Sequence, residues 1–434
     1  MVATAGAVTG LDGTFADVLA SYGTLSTVAG NGDLDDGNDW QNSAEGNSAT
    51  FADLSRPHMA VADAYGNIYI ADKESHAIRK VRTDGTIVTV AGATPGGEDS
   101  GGFNFTSGPG TSVLLDNPNG VFAFPDGTLY IVDLGNDRIC RLDTSGHLTT
   151  VVTDPAGISS GRGLWVSPDE KLIYYSSRTV VRRWTAPNTL VDYSTGYSDL
   201  GNIDVDPDGN LCVTDRNADP EMDGAHRVWR IHPNGARTVI AGNGGISGGG
   251  SGFPAVQTGL EQVRGIAFDE AGGFFLCTHK GGNIWYVDTS GIIHLVLSGK
   301  GSGNLNEGDG MPFSQNRFLE KLSEPRAVAL APDGDLLITT NDQGYVRKIQ
   351  NIRPPIAPKI TTIDHDPITG TTLRWQSNPD TLYHIDRAEG MGDGIGAWSK
   401  IGEQIGVRIG SATEFNDPDP PSAQAFYRIR VFKD

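Results

Sequence analysis

The stretch Pro57-His58-Met59-Ala60-Val61-Ala62-Asp63-Ala64-Tyr65-Gly66-Asn67-Ile68-Tyr69-Ile70-Ala71-Asp72 decides the fold, because five further stretches repeat its plan. A short apolar run leads into a tight turn, and a run rich in Ile, Leu and Tyr follows. Aligned on that turn, the copies are Pro57 to Gly66, Pro118 to Gly127, Gly161 to Glu170, Leu200 to Gly209, Val263 to Gly272 and Pro325 to Gly334, each with the same nine-residue offset. In the first copy a third run, Ala77 to Val81, and a fourth, Thr86 to Val90, complete the unit. Tyr65-Gly66 and Asp84-Gly85 are hairpin signals between β-branched and aromatic runs. Self-similarity at a period of about 40 residues marks a radial array of four-stranded blades, here a six-bladed all-β propeller.

The sixth copy ends early. After Tyr345-Val346-Arg347-Lys348-Ile349 no fourth run precedes the Pro-rich Arg353-Pro354-Pro355. At the other end of the chain, Tyr22 to Gly30 mirrors Asp84 to Gly92 almost residue for residue. An N-terminal strand that completes the last blade would pair two open sheet edges and close the ring.

Bulk composition agrees. The chain of 434 residues is 38% hydrophobic, enough for a packed core, and its 58 glycines exceed ordinary usage of about 7%. Helix signal is nearly absent. A net charge of −20 argues against binding the phosphate backbone of nucleic acid and against docking on anionic lipid. No apolar run approaches the roughly 20 residues of a membrane helix. Met1 to Thr14 has neither the basic region nor the apolar core of a secretory signal. Cys140, Cys212 and Cys277 fall in strands of different blades without CxxC spacing and are expected as buried free thiols.

The string Gly66-Asn67-Ile68-Tyr69-Ile70-Ala71-Asp72 with Ile78-Arg79-Lys80-Val81, preceded by Val28-Ala29-Gly30-Asn31-Gly32, resembles an NHL repeat. The resemblance covers residues 20 to 351 and is weakest in copy three, which has Glu170-Lys171 at the turn and no Asp after the second strand. It implies a central channel, with ligand sites on the face where the innermost strands begin, and it implies no single activity. It also implies a secreted or periplasmic, extracytoplasmic protein, expected as a monomer. Residues 1–351 are assigned to the propeller and 352–359 to a linker. Residues 360–434 form a small β-sandwich with short strands around Thr372-Leu373-Arg374-Trp375, Thr381 to Ile385, Ala397 to Ile401 and Ala425 to Arg430. Trp375, Trp398 and Phe426-Tyr427-Arg428 give it a likeness to the fibronectin type III-like modules that trail secreted bacterial enzymes.

Successive copies begin 61, 43, 39, 63 and 62 residues apart, so only some links carry extra sequence. The long links are Gly30 to Arg56, Gly92 to Asn117, Gly242 to Gln262 and Gly299 to Glu324, and they are expected to wall a cleft over the channel. The second residue of each copy is His58, Asn119, Arg162, Gly201, Arg264 or Arg326, which radial symmetry places around the channel mouth. Three arginines and a histidine reverse the sign of an acidic chain there. One reading makes Arg162, Arg264, Arg326 and Asn119 an anion-binding set, since guanidinium forks match carboxylate, sulfate or phosphate. The other has these arginines paired with Asp72, Asp133 and Asp215 at the ends of the second strands.

His58, His226 and His279 map to the same face as acid/base groups or as ligands of Zn²⁺ or another transition metal. Metal or histidine serves there in lyases of the resembling family. Asp215, Asn217 and Asp219, with Glu221 and Asp223, offer oxygens for Ca²⁺, although Pro220 stands where a calcium loop needs glycine. Gly245-Ile246-Ser247-Gly248-Gly249 fits the G-x-S-x-G string but lacks its strand-to-helix context. Trp40, Phe103, Phe105 and Phe313 lie in the long links, placed either to stack on sugar rings or to anchor the loops. The leading expectation is an extracytoplasmic propeller that binds an anionic small molecule or acidic glycan at the channel mouth, its class, if it is an enzyme, being a lyase or hydrolase of an acidic sugar; the alternative is a non-catalytic module recognising protein or glycan.

Overall fold

Each copy of the repeat folds into a four-stranded antiparallel sheet in the computed structural model. The model describes residues 14–32, 44–92, 101–216, 225–299, 309–313, 322, 324–340, 344–352, 359–366, 368–377, 381–391, 394–395, 397–406, 413–420 and 425–431. Blade 1 is Pro57–Ala62, Ile68–Asp72, Ala77–Val81 and Ile87–Ala91. Its first turn closes on Asp63, whose Oδ1 accepts the N–H groups of Tyr65 and Asn67 at 3.0 and 2.9 Å. Gly66 takes φ 84° there, which glycine allows without Cβ strain. In the divergent third copy Glu170 holds the same place at φ 55°, and its carboxylate is gripped by the Tyr130 hydroxyl and Arg141 of blade 2.

The inner strands are Pro57–Ala62, Pro118–Ala123, Leu164–Val166, Asp199–Val205, Val263–Phe268 and Pro325–Leu330. They touch one another in cyclic order, the sixth against the first. Blade 6 orders its strands Tyr22–Ala29, Tyr345–Asn351, Leu336–Thr340, Pro325–Leu330, so the N-terminal strand is its outer member. The register sets Leu25 against Ile349 and Ser26 against Lys348. Leu25, Ile349, Ile338, Phe275 and Tyr286 share one buried cluster, which fastens the closing strand to blades 5 and 6. Fully burying such side chains contributes about 1.5–3 kcal/mol each. A helix at Phe15–Ser21, capped by Thr14, precedes this strand and buries Val18 in the same cluster.

Three of the long links share an anchoring device. Gly30, Gly92 and Gly242, which end one blade's outer strand, donate N–H to the carbonyls of Ala49, Gly110 and Ala255. These residues donate in turn to Gly85, Gly146 and Gly291 in the last hairpin of the next blade. In blade 2 the link adds a fifth strand, Ser107–Pro109, beside His147–Thr153. In the link before blade 1, Glu45 accepts from Thr89 N–H at 3.0 Å and pairs with the buried Arg79; before blade 6, Asp309 takes the same part with Thr27 N–H at 2.8 Å and Arg347. Part of each of these links is therefore spent on the outer rim, not on the expected wall over the mouth. Phe313 is correspondingly a core residue, fully buried, while Phe103 lies over the Arg138 guanidinium at 4.9 Å; Trp40 lies outside the described residues.

The three cysteines are buried and unpaired, and burial pushes the thiols of Cys140 and Cys277 up to about 12. At the C-terminal end, Lys359–Asp366, Gly370–Gln376 and Thr413–Asp417 form one sheet, its first strand starting at the end of the expected linker. Leu382–Met391 pairs with Ser399–Ile405 and Ala425–Val431 in a second. Leu373, Trp375, Tyr383 and Ile385 form the core between them.

Candidate functional site

Two register positions recur around the hub, the first in all six blades and the second in five among the described residues. The first is the second residue of each repeat copy: His58, Asn119, Arg162, Gly201, Arg264 and Arg326. The second directly follows the Asp or its equivalent that pairs with the inner strand's start: Lys73, Leu134, Ser177, Arg216 and His279. Five residues that directly precede inner strands or their lead-in, Arg56, Asn117, Ser160, Gln262 and Glu324, hold left-handed backbone at φ 44–56°. Non-glycine residues adopt this only where neighbours over-determine it. Here the neighbours are blade-to-blade bonds, such as Asn117 N–H to His76 Nδ1 at 3.0 Å and Gln262 N–H to His226 Nδ1 at 2.9 Å.

Arg162, Arg326, Arg216, Lys73 and His58 come together from distant parts of the chain. The charges of Arg162 and Arg326 both act on His58 and on Lys73, and those of Arg216 and Arg326 act on Arg162. Arg264 flanks the side-chainless Gly201, since a Cβ on that glycine would lie 2.5 Å from the Arg264 carbonyl oxygen. Arg162 and Arg264 are each only 4% exposed, and neither Nε nor Nη1 of either has a hydrogen-bond partner among the described residues. Burial, then repulsion from Arg216 and Arg326, draws Arg162 down to about 9. It is still a cation at neutral pH.

The acids that end the second strands do not neutralise these two cations. Asp72 pairs with Arg79 of its own blade at 3.2 Å and Asp133 with Arg138 at 2.6 Å. Asp215 accepts the N–H groups of Ser198 and Asp199 at 2.9 and 3.1 Å. Each carboxylate thus serves its own blade. Asp199 does face the hub, where it pairs with Arg216.

The remaining site candidates separate by their bonds. His58 donates through Nδ1 to Asn119 Oδ1, and Asn119 donates to the Gly161 carbonyl at 2.6 Å, so both are held across blades 1 to 3. Burial, then the charges of Arg162, Arg326 and Lys73, holds His58 well below the usual imidazole range. His226 spends Nδ1 on Gln262, and burial lowers it too. His279 sets Nε2 3.0 Å from Glu324 Oε2, and its buried Nδ1 has no hydrogen-bond partner among the described residues. Burial, Lys280 and Arg162 draw it down to about 3. The three histidines do not converge: among the described residues no group of three His, Cys, Asp or Glu side chains is placed to hold a metal ion. Asn217 and Asp219, proposed with Asp215 for Ca²⁺, lie outside the described residues, as do Glu221 and Asp223. Lys73 and Arg216 escaped the sequence reading, although their place directly after Asp72 and Asp215 carried the signal.

The family model described as Teneurin NHL domain matches residues 42–143. The chain is 30% identical over 131 residues to the chloroplastic protein SUPPRESSOR OF QUENCHING 1 of Arabidopsis thaliana, a match covering 29% of this chain and 12% of that protein. It is 31% identical over 167 residues to Teneurin-3 of Mus musculus, covering 36% of this chain and 6% of that one. The chain thus spans a small fraction of the length of these curated relatives. Among solved structures, an auxiliary nutrient binding protein of Bacteroides thetaiotaomicron aligns over 77% of each chain with a TM-score of 0.55 at 14% identity. At that identity the likeness is one of fold. Repeat pattern, ring closure and these matches together support an NHL-type β-propeller.

Proposed function

We propose that the hub mouth binds an anionic small molecule or acidic glycan through Arg162 and Arg264, with Arg326, Lys73 and Arg216 adding to the local positive field. One observation carries this reading: two buried guanidinium groups keep N–H donors without acceptors among the described residues, in a chain of net charge −20. A buried unpaired charge is expensive, and an anion that accepts from it recovers bidentate, charge-assisted hydrogen bonds. The auxiliary nutrient binding protein that shares the fold makes small-molecule capture a fitting role. A secreted or periplasmic location suits such capture, and the C-terminal sandwich, read as fibronectin type III-like, would act as a spacer.

Calorimetric titration with galacturonate, glucuronate and a sulfated disaccharide tests the proposal. At least one should bind to the wild type, and Arg162→Met and Arg264→Met should each weaken it by about 10-fold or more, the worth of a charged hydrogen bond. Binding that is unchanged in both variants would contradict it. The second reading, a neutral glycan or protein recognition surface, draws on the exposed Phe103 and Phe105, both 57% exposed. Neutral oligosaccharides binding in preference to acidic ones would favour it.

A further inference from the structure

We propose that the outer edge of blade 3, Thr189–Thr195, is a docking strand for another polypeptide, which adds to it as a fifth strand through an extended Ser-Gly-x-Pro segment.

Four other blades show what covers such an edge. In blades 1, 5 and 6 one apolar residue of the outer strand, Ile87, Ile293 or Leu25, donates its N–H to the carbonyl of Asn47, Phe253 or Met311. Its own carbonyl accepts from Gly46, Gly252 or Gly310, which share left-handed backbone at φ 76, 88 and 79°. Two residues on, the N–H of Thr89, Leu295 or Thr27 donates to the side chain just before that glycine: Glu45 at 3.0 Å, Ser251 at 3.1 Å or Asp309 at 2.8 Å. In blade 2 the strand Ser107–Pro109 sets Gly108 against Leu148, and Thr150 N–H donates to the Thr106 carbonyl at 2.8 Å.

Blade 3 has the edge without the cover. Its sheet stops at Thr189–Thr195. The link before it, residues 154–160, turns instead to Asp137 and Ser177, which accept the N–H groups of Ile158 and Ser159. The register of Trp184 against Leu190 and Arg182 against Asp192 repeats that of Val81 against Ile87 and Arg79 against Thr89. Ladder alternation therefore turns the N–H and C=O of Leu190 and the N–H of Asp192 outward. No segment among the described residues pairs with them. The strand contains neither lysine nor proline, the residues that commonly blunt an edge. Blade 4 also ends on its fourth strand, but there Arg237 stands in the place of Leu190. Its guanidinium lies over Tyr197 and Trp229 at 4.8 and 5.3 Å and donates to the Thr195 carbonyl at 3.0 Å, so a fixed cation guards that edge.

Charge selects the occupant. In blades 1 and 6 the covering carboxylate also reaches a buried arginine, Arg79 or Arg347. In blade 3 the equivalent Arg182 is already paired with Asp192 of the edge strand and with Asp154. An incoming carboxylate before the glycine would meet Asp192 and be repelled, whereas a hydroxyl, as at Ser251 in the cover of blade 5, would not. A second copy of this chain joined about the midpoint of Thr189–Thr195 would set Asp192 against Asp192. The edge is therefore suited to a segment of a different protein, one that carries serine before the glycine.

The test adds a labelled synthetic peptide with the sequence of residues 249–258 to the full chain, in which that segment already covers blade 5. Fluorescence anisotropy should show saturable binding, and hydrogen exchange should show slowed amides within Thr189–Thr195. Replacing the probe's Gly252 by N-methylglycine removes the donor to the Leu190 carbonyl and should weaken binding by about 10-fold. Ser251→Glu in the probe should weaken it by about threefold, a loss that Asp192→Asn in the protein reverses. Leu190→Pro in the protein removes an outward N–H that the inner ladder does not use and should also weaken binding by about 10-fold. Circular dichroism checks that this variant is folded, and the probe-side changes decide the matter if it is not. Absence of binding at millimolar probe, protection confined to another part of the chain, or equal affinity for the N-methylated probe would overturn the docking strand. A dimer of the chain alone that Leu190→Pro converts to monomer would overturn the assignment to a different protein and give the edge to a second copy.

Discussion

Arg162 carries a charge that the surrounding protein disfavours. It is 4% exposed, lies near the like charges of Arg216 and Arg326, and lacks acceptors for Nε and Nη1 among the described residues. Replacing such a group by an apolar side chain of similar length is neutral or stabilising, so Arg162→Met is expected to raise the unfolding free energy by about 1–4 kcal/mol in denaturant titrations. It should weaken anion binding by about 10-fold or more at the same time. A second prediction concerns pH. His58, His226 and His279 are held below the ordinary imidazole range chiefly by burial. The unfolded chain then takes up protons from about 6.5 downward while the folded chain resists them, down to about 3 at His279. Stability should be full above pH 7 and fall as pH drops through 6 toward 4, measurable as a falling denaturation midpoint. That Arg162, Arg264, Arg326 and His58 hold equivalent places in the repeat was legible in the sequence, because a fixed offset sets equivalent residues at equivalent positions of successive blades. The pairing of Asp72 and Asp133 with Arg79 and Arg138 was not legible. It depends on which way each third-strand arginine points, and strand patterning leaves that open.

The long links show how an element's length can be visible and its course hidden. Spacing reveals the extra sequence; it does not say that Ala49, Gly110 and Ala255 tie one blade's outer strand to the next blade's last hairpin. Only a few residues in each link carry that information, and their partners are unpaired edge groups that exist only once the ring has formed. Glu45 illustrates the energetic stake. Its carboxylate accepts from the N–H and hydroxyl of Thr89 and lies 3.7 Å from the fully buried Arg79. Glu45→Ala should destabilise the protein by about 1–3 kcal/mol, the cost of leaving buried donors unsatisfied, and should leave anion affinity unchanged. Denaturant unfolding with parallel calorimetry would separate the two effects. Copy three shows that a turn can keep its geometry while losing its signature: Glu170 accepts the left-handed backbone because Tyr130 and Arg141 hold its side chain.

At the scale of the molecule, the ring exists because the two ends of the propeller sequence share a sheet. Tyr22–Ala29 pairs with Tyr345–Asn351, an arrangement already visible in the likeness of Tyr22 to Gly30 to the fourth strand of blade 1. Deleting residues 1–30 should expose the edge of Tyr345–Asn351 and uncover Ile349, Phe275 and Tyr286. The expected outcome is self-association by size-exclusion chromatography and loss of a single cooperative unfolding transition. Closure also brings Arg162, Arg326 and His58 to one mouth from positions 58 to 326 of the chain, so the candidate site depends on the whole ring. The most direct measurement is therefore a crystal structure of the intact protein soaked with a uronate trisaccharide at saturating concentration. The account predicts density for a carboxylate at the hub mouth within hydrogen-bond distance of Arg162 and Arg264. A hub containing only water, with the sugar bound elsewhere or not at all, would contradict it.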